Sequence, residues 1–244
     1  MPDEASLRGE TRVAIAQAKE AFWIQFKNPR PGDEAVNSLY QRIIKGDDTT
    51  IEEHPYAVQI FKDSDLVCGG SLISMRHVLS AAHCFMKGNN AVSPSHFTII
   101  AGSEYFNRGG TEVSVSMIVI HDSYDPSTED CDIAVVVLSS ILIQSDQIKS
   151  IDIPKQGYSL PENTSVTFAG WGWTNASAYS PSNILQAVTV PTVNRTICAK
   201  HYAEKNLSNG QPSVVTDNMF CAGLLNVKTH ARATVVGPRF SIRL

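Results

Sequence analysis

Short apolar runs, rich in β-branched residues and separated by glycine, proline and other turn formers, recur along the chain. The clearest of these predicted strands are residues 56–61, 97–101, 111–120, 133–138, 165–171 and 185–190. In the second half, one stretch predicts a helix over residues 194–202, with Asn194 as its N-cap. Strands of this length at this spacing favour a sandwich or a barrel over alternating strands and helices. The pattern therefore predicts an all-β fold.

Size and charge limit the classes of function. With 244 residues, 43% of them hydrophobic, the chain can bury a core as one domain or as two small halves. The net charge of -4 is spread along the chain and forms no basic stripe of the kind that binds nucleic acid. No apolar run approaches the ~20 residues of a membrane helix. We therefore expect neither nucleic acid nor a membrane as a partner, and the sequence indicates no cofactor and no clear metal site.

The first 42 residues are expected to form a pro-segment and linker. Residues 13–26 have the spacing of an amphipathic helix, and the stretch from Asn28 to Asp33, with two prolines, then breaks it. A signal peptide needs an apolar stretch of ~7–15 residues, and charged residues interrupt every such stretch before residue 27. The chain as given therefore predicts no signal peptide of its own.

The cysteines leave two alternatives open. Five cysteines are an odd number, which fits either buried thiols in a cytosolic protein or disulfides with one thiol left over in a secreted one. Four Asn-x-Ser/Thr sequons favour the secretory route, since a glycan on any of them requires it. These candidate glycosylation sites are Asn163, Asn175, Asn194 and Asn206.

Several short motifs follow one another in a fixed order. They are Arg42-Ile43-Ile44-Lys45-Gly46, Cys68-Gly69-Gly70-Ser71, Leu79-Ser80-Ala81-Ala82-His83-Cys84, Asp132-Ile133-Ala134-Val135, Gly170-Trp171-Gly172 and Cys221-Ala222-Gly223. In this order the chain resembles the trypsin-like serine endopeptidases, the chymotrypsin-fold peptidase S1 family, from about Arg42 to Val227. The resemblance implies two Greek-key six-stranded β-barrels within an S1 peptidase-like domain at residues 43–244. The first barrel would span about 43–150, and the second, which is incomplete, about 151–227.

The resemblance also assigns catalytic roles. His83 is implied as the general base, and Asp132 as the buried carboxylate that holds the imidazole in one tautomer and stabilises the imidazolium. A single histidine is more often structural, and an aspartate before a strand is often a turn residue. The surrounding motifs favour the catalytic roles, whereas no role follows for Cys131.

Further features of the family carry over by position. Cleavage after Arg42 would free the α-amino group of Ile43, although Lys45 replaces a glycine and Arg42 alone would fit a surface residue before a strand. The implied disulfides are Cys68–Cys84 and Cys198–Cys221. The implied partners of a secreted monomer are polypeptide substrates or inhibitors and an activating protease.

The family pattern stops at Val227. The tail, residues 228–244, contains no Gly-Asp-Ser-Gly-Gly-Pro, the loop that supplies the nucleophile and the oxyanion-hole N–H groups. The chain as written is therefore expected to lack the nucleophile, the oxyanion hole, the pocket aspartate and the partner of the Ile43 amine. It is also expected to lack the last strands of the domain and to be inactive.

Back-translation accounts for the tail. With codons AAG ACG CAT GCC AGG GCG ACA GTG GTG GGC CCx for Lys228 to Pro238, a frame that starts at the last base of the first codon encodes Asp-Ala-Cys-Gln-Gly-Asp-Ser-Gly-Gly-Pro. The third bases are chosen, but the protein fixes the first two bases of nearly every codon. The tail is thus interpreted as a frame-shifted version of a trypsin-type active-site exon, and the hidden aspartate implies cleavage after Lys or Arg.

Two classes of function remain. In the first, the gene encodes a secreted trypsin-like endopeptidase and this sequence is a frame-shifted or truncated product of it. In the second, the chain is a non-catalytic serine protease homologue that acts as a binding or regulatory protein. Such homologues usually keep a complete domain and replace the serine alone, so the loss of the whole loop favours the first class.

Overall fold

Strands make up most of the regular structure. The structure is a computed structural model, and it describes residues 46–154, 158, 160–172, 182–200, 203, 215–223 and 240–243. The predicted strands at 97–101 and 111–120 have those bounds in the structure, and the other four predicted strands differ by one to three residues at an end. The strands are β1 Asp47–Asp48, β2 Ala57–Lys62, β3 Asp65–Ser74, β4 His77–Ser80, β5 Met86–Lys87, β6 Asn90–Ala91, β7 Phe97–Ala101, β8 Thr111–Ile120, β9 Ala134–Leu138, β10 Ser165–Gly170, β11 Gln186–Val193, β12 Cys221–Ala222 and β13 Phe240–Arg243.

Six antiparallel strands close into the first barrel, in the order β2-β3-β4-β9-β8-β7. Apolar side chains fill its interior because alternate residues of each strand point inward. The largest buried residues of this core include Leu72, Phe85, Phe97, Ile99 and Leu138. A closed barrel has no free edge strand, so this half satisfies its own backbone hydrogen bonds.

The sequence analysis did not predict β3 and β4 as strands, because glycine and serine interrupt their apolar pattern. Gly70 lies in β3 opposite Val58 of β2, and β4 passes close to its other side. A Cβ atom at Gly70 would lie 2.5 Å from Val78 Cγ1 and 3.0 Å from the Leu79 carbonyl oxygen. The glycine is therefore what lets β4 approach β3.

The second half contains a five-stranded sheet of order β1-β11-β10-β13, with β12 paired to β11. Val166 and Phe168 of β10 form its core with Ala222. In the ranges that the structure describes, this sheet does not close, and the incompleteness of the second barrel stays a prediction. The tail nevertheless contributes a strand, since β13 pairs with β10 from Gly170↔Phe240 to Thr167↔Arg243. The predicted bounds of the second barrel and of the divergent tail stay predictions.

The two halves pack through the outer face of β2. Val58 and Ile60 point into the barrel, whereas Ala57 and Phe61 contact a cluster that includes Trp171 and Leu185 of the second half. The Trp171 indole N–H donates to the Glu104 carbonyl at 2.7 Å across this interface. Because β2 is buried on both faces from Ala57 to Phe61, those five residues are all apolar except Gln59.

Gln59 is fully buried at this interface, and its amide is satisfied. Its Nε2 donates to the Tyr105 carbonyl at 2.9 Å, and its Oε1 accepts from the Asn107 N–H at 3.0 Å. A buried amide without such partners would destabilise the fold. Gln59 therefore anchors the loop between β7 and β8 on the barrel.

The predicted helix is confirmed over residues 195–200, and Tyr202 lies outside the described residues. Asn194 caps it, because its Oδ1 accepts from the Ile197 N–H at 3.1 Å. No helix in the described part of the chain is long and apolar enough to cross a membrane. The pro-segment predicted for residues 1–42 lies outside the described residues.

Gly70→Ala is expected to lower the free energy of unfolding by about 1–3 kcal/mol, because the added methyl group overlaps Val78 and the β4 backbone. Urea unfolding followed by tryptophan fluorescence measures this change. Gly88→Ala is the control: its Cβ would meet nothing within 4 Å, and it tests only the cost of a positive φ. An equal loss in both variants would contradict the packing role of Gly70.

Candidate active site

His83 lies in a short 3₁₀ helix, Ala82–Phe85, directly after β4. The Cys68–Cys84 disulfide ties this helix to β3 next to the histidine. The Ser80 hydroxyl donates to the Gly69 carbonyl at 2.8 Å and makes a second link to the same strand. The main chain around the imidazole is therefore held by covalent and polar contacts to the barrel.

Asp132 lies in the turn that leads into β9. The Ile133 N–H donates to the Cys131 carbonyl at 2.8 Å, which closes a three-residue turn around Asp132. Glu129 and Cys131 both have left-handed backbone conformations, with φ of 58° and 53°. Each such residue costs about 1–3 kcal/mol and persists only where its surroundings fix it. The turn is thus a strained segment that other contacts must hold.

Strand pairing brings the two residues together. Ser80 at the end of β4 pairs with Ala134 at the start of β9, so His83 and Asp132 emerge at the same end of the barrel. His83 Nδ1 lies 2.5 Å from Asp132 Oδ2, and the His83 backbone N–H donates to Asp132 Oδ1 at 2.8 Å. The Asp132 side chain is 1% exposed and that of His83 is 24% exposed. The carboxylate is therefore buried behind an imidazole that solvent can reach.

Burial by itself would lower the pKa of His83, but the negative charge of Asp132 and the hydrogen bond to it prevail, so the pKa is raised. The charge of Glu129 acts in the same direction. Nearby, burial together with the charges of Asp132, Glu129 and Asp125 strongly raises the pKa of Tyr124. The imidazole is therefore a stronger base than an isolated histidine, with Nδ1 engaged by Asp132.

A polar network connects the Asp132 turn to the second half. The Thr216 hydroxyl donates to Asp130 Oδ1 at 2.5 Å, and Asn218 Nδ2 lies 3.2 and 3.1 Å from the two Asp130 oxygens. The same amide lies 3.5 Å from Cys131 Sγ. Sequence analysis missed this network, because Thr216 and Asn218 lie more than eighty positions away and belong to no motif.

The remaining cysteines pair as Cys198–Cys221, and Cys131 is a buried free thiol. Burial raises the pKa of Cys131, and the Asp130 charge adds to this effect. One group of potential metal ligands among the described residues is Cys68, His83 and Cys84, but the two sulfurs are bonded to each other. Neither can act as a thiolate ligand, so this group does not fit a metal ion.

Some predicted sites lie outside the described residues: Arg42, Ile43, Asn175 and Asn206. Asn163 lies in an exposed turn with φ of 60°. The side chain of Asn194 is already hydrogen-bonded at both ends, since its Oδ1 caps the helix and its Nδ2 donates to Glu162 Oε1 at 2.5 Å. The two sequons that the structure describes therefore differ in the availability of the amide nitrogen.

The raised pKa of His83 predicts a pH-dependent stability. Its contribution is complete below the unfolded-state pKa of 6.5 and is lost as pH rises through the higher folded-state pKa. Wild type should exceed His83→Gln in free energy of unfolding by more at about pH 6 than at about pH 9, by about 1.4 kcal/mol per unit of pKa shift. Urea unfolding of both proteins at both pH values measures this, and a difference that grows with pH would contradict it.

Glycosylation should distinguish the two described sequons. In a secretory eukaryotic host we expect a glycan on Asn163 and little on Asn194, because a glycan on Nδ2 of Asn194 is incompatible with its bond to Glu162. Peptide mass spectrometry after enzymatic deglycosylation measures occupancy. Asn163→Gln should remove the glycan that this assay detects, and equal occupancy of Asn163 and Asn194 would show that folding does not decide the choice.

Comparisons with known proteins identify the family. The family model described as Trypsin matches residues 43–233, six residues past Val227. Trypsin CFT-1 of Choristoneura fumiferana is 35% identical over 198 residues, covering 79% of this chain and 73% of that protein. Trypsin Blo t 3 of Blomia tropicalis is 36% identical over 195 residues, covering 79% and 69%. A crystal structure of a scabies mite inactivated protease paralogue matches with a TM-score of 0.66 and 31% identity over 74% of each chain. The chain is therefore a member of the trypsin family of serine peptidases, with the two-barrel fold of that family.

Proposed function

We propose that this gene encodes a trypsin-like serine endopeptidase in which His83 is the general base and Asp132 its orienting carboxylate. The observation that carries the proposal is the 2.5 Å contact between His83 Nδ1 and Asp132 Oδ2, with the carboxylate buried and the ring open to solvent. Asp132 would hold the proton on Nδ1, which leaves Nε2 as the base. Membership of the trypsin family supports the same roles.

The chemistry follows from this arrangement. Nε2 would take the proton of a serine hydroxyl as the hydroxyl attacks the substrate carbonyl, and would then return it to the leaving amine. The charge of Asp132 stabilises the imidazolium that forms between these steps. The raised pKa of His83 makes the imidazole a better proton acceptor. It also means that the imidazolium releases its proton only at higher pH.

The printed polypeptide does not hydrolyse peptides in this proposal. A base without a nucleophile and an oxyanion hole performs no acyl transfer. With the codons chosen above, the shifted frame of residues 228–238 would encode both, together with the aspartate that would select Lys or Arg. The β13 backbone pairs with β10 through main-chain hydrogen bonds, so a strand at this position is compatible with either reading frame.

Activation and location complete the proposal. An activating protease would cut between Arg42 and Ile43, and the enzyme would act outside the cell as a monomer on polypeptide substrates. Two disulfides support an oxidising compartment, where such bonds form and persist. Inhibitors that mimic polypeptide substrates would bind at the same site.

A second candidate is a non-catalytic homologue that binds partners through the first barrel. The similarity to a scabies mite inactivated protease paralogue favours it. The first barrel is closed and has its own core, so a binding surface on it would not depend on the tail. This candidate gains weight if transcripts encode the tail as printed.

The proposal predicts that one inserted base creates an active enzyme. In a gene that has the codons given above and continues in the shifted frame through the last strands of the domain, a base placed before the last base of the Lys228 codon restores the loop and the rest of the second barrel. After cleavage at Arg42 and removal of the activating protease, the restored protein should hydrolyse amide substrates with Lys or Arg before the scissile bond. The printed chain should show none of this activity.

Controls separate the outcomes. His83→Ala in the restored protein should lower kcat by about 10⁴-fold or more, because the nucleophile loses its base. Sequencing of independent cDNA across the codons for Cys221 to Leu244 shows which frame is transcribed. Hydrolysis by the purified printed chain, or an inactive and folded restored chain, would overturn the proposal.

A further inference from the structure

We propose that Asp130 is a positioning residue: its bonds to Thr216 and Asn218 form a latch that ties the Asp132 turn to the second half of the molecule. The latch is defined by the Asp130 carboxylate, the Thr216 hydroxyl and the Asn218 amide. For the enzyme it rests on the proposed function, but its effect on the His83–Asp132 pair can be measured without catalysis. The motifs quoted in the sequence analysis include none of these three residues.

The turn needs such an anchor. Glu129 and Cys131, on either side of Asp130, have left-handed backbones that only glycine adopts freely. The first part of the loop has its own support, because Asp125 accepts from the Ser127 N–H and from the Ser127 and Thr128 hydroxyls at 2.7–2.8 Å. The Asp125 N–H also donates to the Asp130 carbonyl at 3.0 Å. What remains to be fixed is the Asp130 side chain and the short path from it to Asp132.

The Asp130 carboxylate has the partners to do this. It accepts hydrogen bonds from the Thr216 hydroxyl at 2.5 Å and from the Asn218 amide at 3.1–3.2 Å. A charged acceptor makes stronger hydrogen bonds than a neutral one. The Asn218 amide also reaches Cys131 Sγ at 3.5 Å. Both residues that precede Asp132 are therefore held from the same side.

The other end of the latch is itself fixed. The Met219 N–H donates to the Thr216 carbonyl at 3.2 Å, and the Asn218 N–H donates to the Thr216 hydroxyl at 3.3 Å, which closes the turn. Asp217 of this turn pairs with Arg195 of the helix at 2.7 Å. Two residues beyond Met219, Cys221 is joined by its disulfide to Cys198 of the same helix. The latch therefore joins two supported segments, one from each half.

The consequence is a defined position of Asp132 relative to the second half. Asp132 is two residues from Asp130 and makes both of its described hydrogen bonds to His83. If the latch opens, the strained turn relaxes and the carboxylate moves away from Nδ1. In an enzyme with the proposed nucleophile on the second half, the same latch would set the distance from that serine to His83.

The test measures the His83–Asp132 bond by NMR in the full printed chain labelled with ¹⁵N-histidine. A strong bond to a carboxylate gives a strongly downfield Nδ1 proton, and it keeps the pKa of His83 raised. The neutral double variant Thr216→Val/Asn218→Ala removes the donors of the latch without changing any charge. We expect loss of the downfield signal and a fall in the pKa of His83.

A swap distinguishes hydrogen bonding from charge. In Asp130→Asn/Asn218→Asp the amide and the carboxylate exchange places, so the contact between positions 130 and 218 reforms with the same net charge. The swap should recover the downfield signal, whereas Asn218→Asp alone, which removes the amide donor and sets two carboxylates against each other, should not. Asp217→Asn is the matched control, because it removes a charge from the same turn but touches Arg195 and not Asp130.

Each outcome decides the proposal. Retention of the signal in the folded donor-less variant overturns it, and so does a folded swap variant without the signal. Loss of the signal in Asp217→Asn would show a general effect of the turn and also overturn it. If the donor-less variant does not fold, as judged by near-ultraviolet circular dichroism, the swap decides alone. The NMR signals of His83 do not depend on whether the restored chain hydrolyses peptides. The latch proposal can therefore fail while the proposed function holds, and the proposed function can fail while the latch proposal holds.

Discussion

The pairing of β4 with β9 is the constraint on which the candidate site depends. These strands are far apart in sequence, yet the register Ser80↔Ala134 brings their ends together and places His83 against Asp132. Barrel closure enforces the register, because a slip by one residue would turn every inward side chain outward. The short contact between imidazole and carboxylate is thus a product of the apolar core of the barrel. The pKa of His83 is raised because that core has already paired the two groups.

The sequence predicts what is local or periodic. Strands with strong apolar alternation, the helix cap at Asn194 and the ordered motifs around His83 and Asp132 all carry a signal within a few residues. The sequence does not predict β3 and β4, because the glycines and serines in them have low strand propensity. Such segments form strands only where neighbouring strands supply their backbone hydrogen-bond partners. The contacts of Asp130 with Thr216 and Asn218 likewise carry no local signal, since a turn aspartate looks the same whether its partner is water or a distant amide. The pairing of β13 with β10 was missed because backbone hydrogen bonds impose little on side-chain identity.

The two halves are not equivalent in how they are held together. The first barrel closes on itself, whereas the described part of the second half is a sheet that packs against the outer face of β2. The buried amide of Gln59 and the indole of Trp171 add polar contacts to this apolar interface and so fix its orientation. Closure of the first barrel thus places the His83 imidazole against the Asp132 carboxylate without any strand from residues 228–244.

The free thiol of Cys131 has a consequence for how the protein reaches its native disulfides. In the folded chain the thiol is buried and its pKa is raised, so little thiolate exists to attack a disulfide sulfur. In the unfolded chain Cys131 has no such protection and competes with the four paired cysteines on equal terms. Correct pairing then depends on the order of events: once the Asp132 turn is formed, the fifth cysteine is withdrawn from exchange. The same fold that presents the imidazole to solvent thus also hides the thiol that could scramble its own cross-links.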